Sequence, residues 1–201
     1  MSYSRLNVSV DNKVGHIQLS VPDEYNRMPP AFWQEFPEAL MDLDSSGSVR
    51  AVVISSTGKH FSSGLDTSSF GAAGAANKQF DAGRKAEAAR RHLGGMQDAF
   101  SVIEQVRMPV ITAIQGGCIG GGVDMIAASD MRYCTEDAFF CIQEINIGMA
   151  ADVGTLQRLP KLIPEGMMRE LAYTGRRLFA DEAQSIGLVN RVFADQDAMI
   201  K

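Results

Sequence analysis

The sequence predicts an α/β domain built around a mostly parallel sheet. Two continuous apolar runs, "AVVISS" from Ala51 and "PVITAI" from Pro109, have the composition of strands buried on both faces. Between them, from Asp81 to Arg107, Leu93, Met96, Phe100, Ile103 and Val106 recur at helical spacing. Strand, long helix and strand in that order require a right-handed crossover and parallel pairing. The 201 residues, 45% hydrophobic and 21% charged, suffice for one core. No linker composition and no fixed-period repeat divides them, so residues 1–201 are read as a single domain.

In chain order, "LNVSV" and "VGHIQLSV" read as two short strands joined by a hairpin turn at Asp11-Asn12-Lys13. Phe32, Trp33, Phe36, Leu40 and Leu43 are spaced for an amphipathic helix entered through Pro29-Pro30. After "AVVISS" comes a long Gly/Ser/Ala loop, "GKHFSSGLDTSSFGAAGAAN", of the kind that is functional or mobile in compact domains. The long helix ends ahead of Pro109. "GVDMIAAS" is apolar nearly all round and reads as a short buried helix. "MRYCT", "AFFCI" and "LVNRV" are strand-like, and Asp152, Pro164 and Asp181 are candidate starts of three further helices.

The net charge of −5 offers no broad basic surface to nucleic acid or to an anionic membrane. No apolar run approaches the length of a membrane span, and no leader is visible in "MSYSRLNVSV", so cytoplasmic residence is expected. Cys118, Cys134 and Cys141 have no metal-like spacing and read as buried thiols in a reducing compartment; no metal is expected.

The most informative stretch is "GGCIGGGVDM", with five glycines from Gly116 to Gly122 and an acid at Asp124. It follows the second buried strand and lacks both the downstream acid of a dinucleotide fingerprint and the Lys-Ser/Thr of a phosphate loop. A tight turn explains two or three of the glycines but not five and an acid. A helix N-terminus with bare backbone at Gly120 to Gly122 offers amides to a ligand oxygen. Two such donors on a thioester oxygen would stabilise an enolate, each worth about 3 kcal/mol. The second donor is expected from "HFSSGLD", because ligands of open α/β sheets sit beyond the carboxyl ends of the strands.

"GKHFSSGLD", then "PVITAIQGGCIGGGVDM", then "MRYCTEDAFFCIQEINIGMAADVGTLQRLP" resemble the crotonase (enoyl-CoA hydratase/isomerase) superfamily. Three separated motifs occur in the family's order, and the likeness runs from "VGHIQLS" to "AQSIGLVNRVF". The resemblance implies a crotonase-like spiral of ββα repeats and a homotrimer or hexamer. It implies an acyl-CoA thioester as ligand, with coenzyme A part of the substrate and no separate cofactor. It maps the oxyanion hole to Leu65 and Gly121, and substrate binding to Ser62, Ser63, Gly64, Leu65, Asp66 and Gly121. Family members continue through further helices, so the resemblance also implies that helices beyond about residue 195 are missing here.

The trio Asp124, Glu144 and Asp152 most resembles the Δ3,5-Δ2,4-dienoyl-CoA isomerases. Asp124 on an apolar helix is expensive unless paired or used. Glu144 follows "AFFCI" and read alone is an ordinary solvated strand end, whereas the resemblance makes it catalytic. Asp152 read alone is an N-cap for "VGTLQRLP"; the hydratases of the family resemble glycine at this position. Moving both double bonds of a 3,5-dienoyl-CoA into conjugation requires a base at C2 and an acid at C6, hence two carboxyls of different pKa. The resemblance makes Asp152 the base, Glu144 the acid and Asp124 a polar neighbour that tunes it. Asp124 stands where a hydratase carries Glu, which weakens the alternative of water addition to a 2-enoyl-CoA. A non-catalytic acyl-CoA-binding module is the other alternative. His16 and His92 read as structural or solvated, His60 as shaping its loop, the Arg84–Arg91 cluster as a solvated face, and Met149 as a candidate lining of an acyl pocket.

Overall fold

The computed structural model describes residues 3–69 and 79–200. The later part of the long Gly/Ser/Ala loop, 70–78, lies outside the described residues.

Strands β1 (Leu6–Asp11) and β2 (Val14–Leu19) form the expected hairpin. Its two turn residues, Asn12 (φ 47°) and Lys13 (φ 68°), are both left-handed, as a two-residue turn between twisted strands requires. Helix α1 (Phe32–Ser45) leads to β3 (Ala51–Ser56), and α2 (Ala82–Gln105) leads to β4 (Val110–Ile114). The Asp81 carboxylate accepts the Arg84 N–H at 2.9 Å and so caps α2. There follow β5 (Gly117–Ile119), α3 (Gly121–Ala127), β6 (Met131–Thr135) and β7 (Phe139–Cys141). The chain continues through α4 (Thr155–Arg158), α5 (Glu165–Thr174), β8 (Leu178–Phe179), α6 (Ala180–Ser185), β9 (Arg191–Phe193) and α7 (Gln196–Ile200).

The main sheet has the order β1-β2-β3-β4-β6-β9, and every pair from β2 onward is parallel. A second sheet, β5-β7-β8, was not expected. The glycine stretch is therefore not only a turn: Gly117, Cys118 and Ile119 pair with Phe139, Phe140 and Cys141. Gly116 is bare because a Cβ there would stand 2.1 Å from the Lys59 carbonyl oxygen. Asp152 does not begin a helix. Helix α4 starts at Thr155 behind Gly154, whose φ of 139° excludes most other residues. Pro164 caps α5 as expected, and Asp181 is the second residue of α6.

The core between α1 and α2 is aromatic. Phe32, Phe36 and Phe100 are fully buried, and Trp33 lies 5.1 Å from Phe100 by ring centroids. The α2 face expected from its spacing, Met96, Phe100 and Ile103, is buried against this cluster. Phe100→Ala removes the ring shared by Phe32, Trp33 and Phe36 and is expected to lower the unfolding free energy by about 3–5 kcal/mol in urea titration.

Candidate active site

Beyond the carboxyl end of β3, the segment Ser62–Asp66 threads between Tyr25–Met28 and strand β5. Ser62 N–H donates to Gly117 O at 3.2 Å, Ser63 N–H to Tyr25 O at 2.9 Å, and Asp66 N–H to Met28 O at 3.2 Å. Gly64 N–H donates to Ser62 Oγ at 3.0 Å, and that hydroxyl donates to Asn26 O at 2.8 Å. Among the described residues, Leu65 is thus the one member of this run whose N–H meets no protein acceptor. The same happens across the gap. Gly120 N–H donates to Cys141 O at 2.9 Å, while Gly121 N–H, the first of α3, has no acceptor among the described residues.

These two free donors are neighbours because Gly64 has no side chain. At its φ of 79°, a Cβ would stand 2.5 Å from Ile119 O and 2.8 Å from Gly121 N. A Cβ on Gly121 would stand 3.5 Å from Leu65 N, in the space both amides face. Two backbone donors facing one space can hold a single oxygen between them.

The donors open onto an apolar cavity of about 250 Å³ that Asp124, Glu144 and Asp152 also line. Asp124 is 1% exposed, and its Oδ1 accepts the Thr155 N–H at 2.7 Å, so this acid of α3 caps the first turn of α4. Burial pushes the Asp124 pKa up to about 6; the Asp152 charge adds to the rise, while Thr155 and Arg158 oppose it. Glu144 opens a 3-10 turn, Glu144–Ile147, closed by Gly148 in the left-handed conformation. Its carboxylate lies against Gly120, where a Cβ would stand 3.1 Å from Oε1, and its Oε2 is buried without a hydrogen-bond partner among the described residues. Burial, then the charges of Asp124 and Asp152, push Glu144 up to about 7. Three acids from three segments thus share one electrostatic environment.

A family model described as Enoyl-CoA hydratase/isomerase matches residues 9–201. The chain belongs to the enoyl-CoA hydratase/isomerase family. It is 47% identical over 96% of its length to a mouse protein named mitochondrial Δ(3,5)-Δ(2,4)-dienoyl-CoA isomerase, of which the match covers 59%. A protein of that name from Arabidopsis thaliana, peroxisomal, is 43% identical over 98% of the chain and 73% of the relative. A solved structure of a probable enoyl-CoA hydratase/isomerase from Mycobacterium abscessus superposes with TM-score 0.84 at 30% identity, over 98% of this chain and 72% of that one. The chain spans about 59% of the length of the mouse relative. The relatives' names point to mitochondria and peroxisomes, so they lend the expected cytoplasmic residence no support. Among the described residues no helix is long and apolar enough to cross a membrane.

Within this family framework, Leu65, Gly121, Asp124, Glu144 and Asp152 come together around one cavity, and Met149 lines it as well. Ser62 and Ser63 do not. They line a separate cavity of about 620 Å³, with Tyr25, Lys59, His60 and Arg177. Ser62 acts on the backbone through its hydroxyl, and Asp66 bonds Ser68, its Oδ1 accepting the Ser68 hydroxyl at 2.7 Å. His60 shapes its loop, its Nδ1 accepting the Gly117 N–H at 2.9 Å. His16 contacts Ser55 Oγ at 2.7 Å, and the Arg84, Arg90 and Arg91 side chains are exposed beside Asp81 and Glu87. Sequence reading missed the outer wall of the cavity, where Trp33 of α1 meets Ala89, His92, Leu93 and Met96 of α2. The spacing of Leu93 and Met96 marked a buried face but could not say that its first turns face a cavity.

The raised acids link the site to stability. Folded Asp124 and Glu144 hold protons above the ordinary values of 3.8 and 4.5, where the unfolded chain has released them. Their contribution is therefore complete below about pH 4 and lost as pH rises through about 6 and 7. Glu144→Gln is expected to raise the unfolding free energy at pH 8, relative to pH 5, by on the order of 1–3 kcal/mol in paired denaturant titrations.

Proposed function

We propose that this protein is a double-bond isomerase that converts a 3,5-dienoyl-CoA to the conjugated 2,4-dienoyl-CoA. The carrying observation is that Glu144 and Asp152 line one apolar cavity with two amides that have no acceptor among the described residues. The thioester oxygen accepts from Leu65 N–H and Gly121 N–H. Asp152 removes a proton from C2. The electron pair spreads into the carbonyl and along the diene, and the amides hold the charge that develops on oxygen. Glu144, whose pKa is raised to about 7, donates its proton at C6. Double bonds at C3 and C5 become double bonds at C2 and C4, and no water is consumed. Asp152 ends protonated and Glu144 ionised, and proton exchange with solvent restores both. Asp124 acts as a fixed neighbour: its charge is the largest of the charge effects that raise Glu144.

The larger cavity beside Ser62 and Ser63 is assigned to the coenzyme portion of the substrate, with Lys59 and Arg177 available to its phosphates. The homotrimer or hexamer implied by the resemblance belongs to the same reading. Ile145, Ile147 and Tyr173, exposed on packed segments, are apolar surface that such an assembly would cover.

With 3,5-dienoyl-CoA the expected readout is a rise in conjugated-diene absorbance; loss of 2-enoyl-CoA absorbance with no diene activity would instead establish a hydratase. Asp152→Asn is expected to lower kcat by about 10²–10⁴-fold while thioester binding persists. Unchanged turnover in that variant excludes Asp152 as the base. Because Glu144 must start protonated, kcat/KM for the free enzyme is expected to fall as pH rises through about 7. This alkaline limb should be absent from the residual activity of Glu144→Gln.

A further inference from the structure

Helix α2 carries a second, polar stripe beside its apolar face. Gln97, Ser101 and Glu104 recur at spacings of four and three and so share one side of the helix. All three contact the segment from Asp152 to Arg158. Gln97 Nε2 donates to the Asp152 main-chain oxygen at 2.7 Å. Arg158 Nη2 donates to Ser101 Oγ at 3.1 Å and to Glu104 Oε2 at 2.7 Å, and its Nε donates to the same carboxylate oxygen at 2.9 Å. The Arg158 side chain is only 11% exposed. It lies across Gly154, where a Cβ would stand 1.9 Å from Nη1. From the opposite side, Asp124 takes the Thr155 N–H.

Asp152 stands at a boundary. It lines the apolar cavity with Glu144 and also a polar cavity of about 260 Å³ with Gln97, Glu104, Arg158 and Lys161. A carboxylate is better solvated on the polar side, near Lys161, than against apolar walls. Something must therefore hold its backbone so that the side chain serves the apolar side. We propose that Gln97 is the positioning residue for Asp152, with the Glu104–Arg158 pair and Ser101 anchoring the far end of the same segment to α2. Gln97 does not line the apolar cavity; it lines the polar one. It fixes the carbonyl of the residue that carries the base, and a displacement near 1 Å at such a position can lower a rate by about 100-fold.

This inference rests on the isomerase reading, and two measurements separate their failures. Amide hydrogen–deuterium exchange of residues 150–156 tests the clamp without substrate. In Gln97→Leu, which keeps bulk and removes the donor, exchange there is expected to rise about tenfold, with other segments unchanged. Turnover of 3,5-dienoyl-CoA tests positioning: kcat is expected to fall about 10–100-fold with KM within about twofold. Wild-type exchange in 150–156 overturns the proposal, as does raised exchange with wild-type kcat. If the unaltered protein does not turn over the dienoyl-CoA, the isomerase reading fails and the clamp is decided by exchange alone. Gln97→Asn, which stays polar but is shorter by one methylene, carries the same expectations and the same overturning results if the Leu variant does not fold.

Discussion

The arrangement of this site depends on one contact between backbones, Gly64 against the Ile119–Gly121 peptide. Neither segment belongs to the main sheet, and each has to be brought in by its own hydrogen bonds. Ser62 pairs with β5 through Gly117 and Ile119, and Met28 pairs with Gly64 and Asp66 on the other side. With Tyr25 O taking the Ser63 N–H and Ser62 Oγ the Gly64 N–H, only the Leu65 amide of the segment has no acceptor among the described residues. A β-carbon at Gly64 would collide with Ile119 O and Gly121 N, and the two donors would separate. The orientation of both amides is thus set by the fold itself.

Against this fixed pair of donors the fold sets three acids, at a cost in stability. Asp124 and Glu144 are both raised by burial, and each is raised further by its acidic neighbours. The protein answers differently at the two positions. Asp124 receives the Thr155 N–H, which favours its charged form and ties α3 to α4. Glu144 Oε2 receives no hydrogen bond among the described residues. Burial and the neighbouring acids outweigh the backbone amides of Glu144 and Gln143, which oppose the rise, so this carboxyl keeps its proton to higher pH than a free one. The two acids thus stand in different environments, although burial raises both.

Much of the framework was legible in the sequence. The hairpin at Asn12-Lys13, the buried strands β3 and β4 and the helices α1 and α2 carry enough periodic residues to be read alone. The second sheet was not, because strands of two or three residues such as β8 and β5 have no measurable alternation. Asp124 announced itself as an acid on an apolar helix. Glu144 and Asp152 did not, since a Glu after a strand and an Asp before a helix each have a common local explanation. Only the family pattern marked them. The local explanation of Asp152 fails because Gly154, at φ 139°, takes the place ahead of α4 that an Asp cap would need. The coenzyme-side assignment of Ser62 and Ser63 rests on the pattern and on the larger cavity; local spacing carries no trace of it.

What local patterns could not carry at all is the wall formed by α2. Leu93 and Met96 read as one apolar face, and Gln97, Ser101 and Glu104 beside it carry no local signal, because a helix's own sequence says which side is apolar but not what stands opposite. The partners lie far along the chain, at Asp152 and Arg158. Yet the two stripes are adjacent for a reason. The apolar stripe passes from the Phe32–Phe36 cluster to the cavity, and the polar stripe grips the segment that brings an acid to the cavity's edge. A rigid helix 24 residues long thus refers the cavity wall and the backbone of Asp152 to one body. If α2 shifts, both shift together, so the spacing between wall and carboxylate is preserved where two independent loops would let it drift.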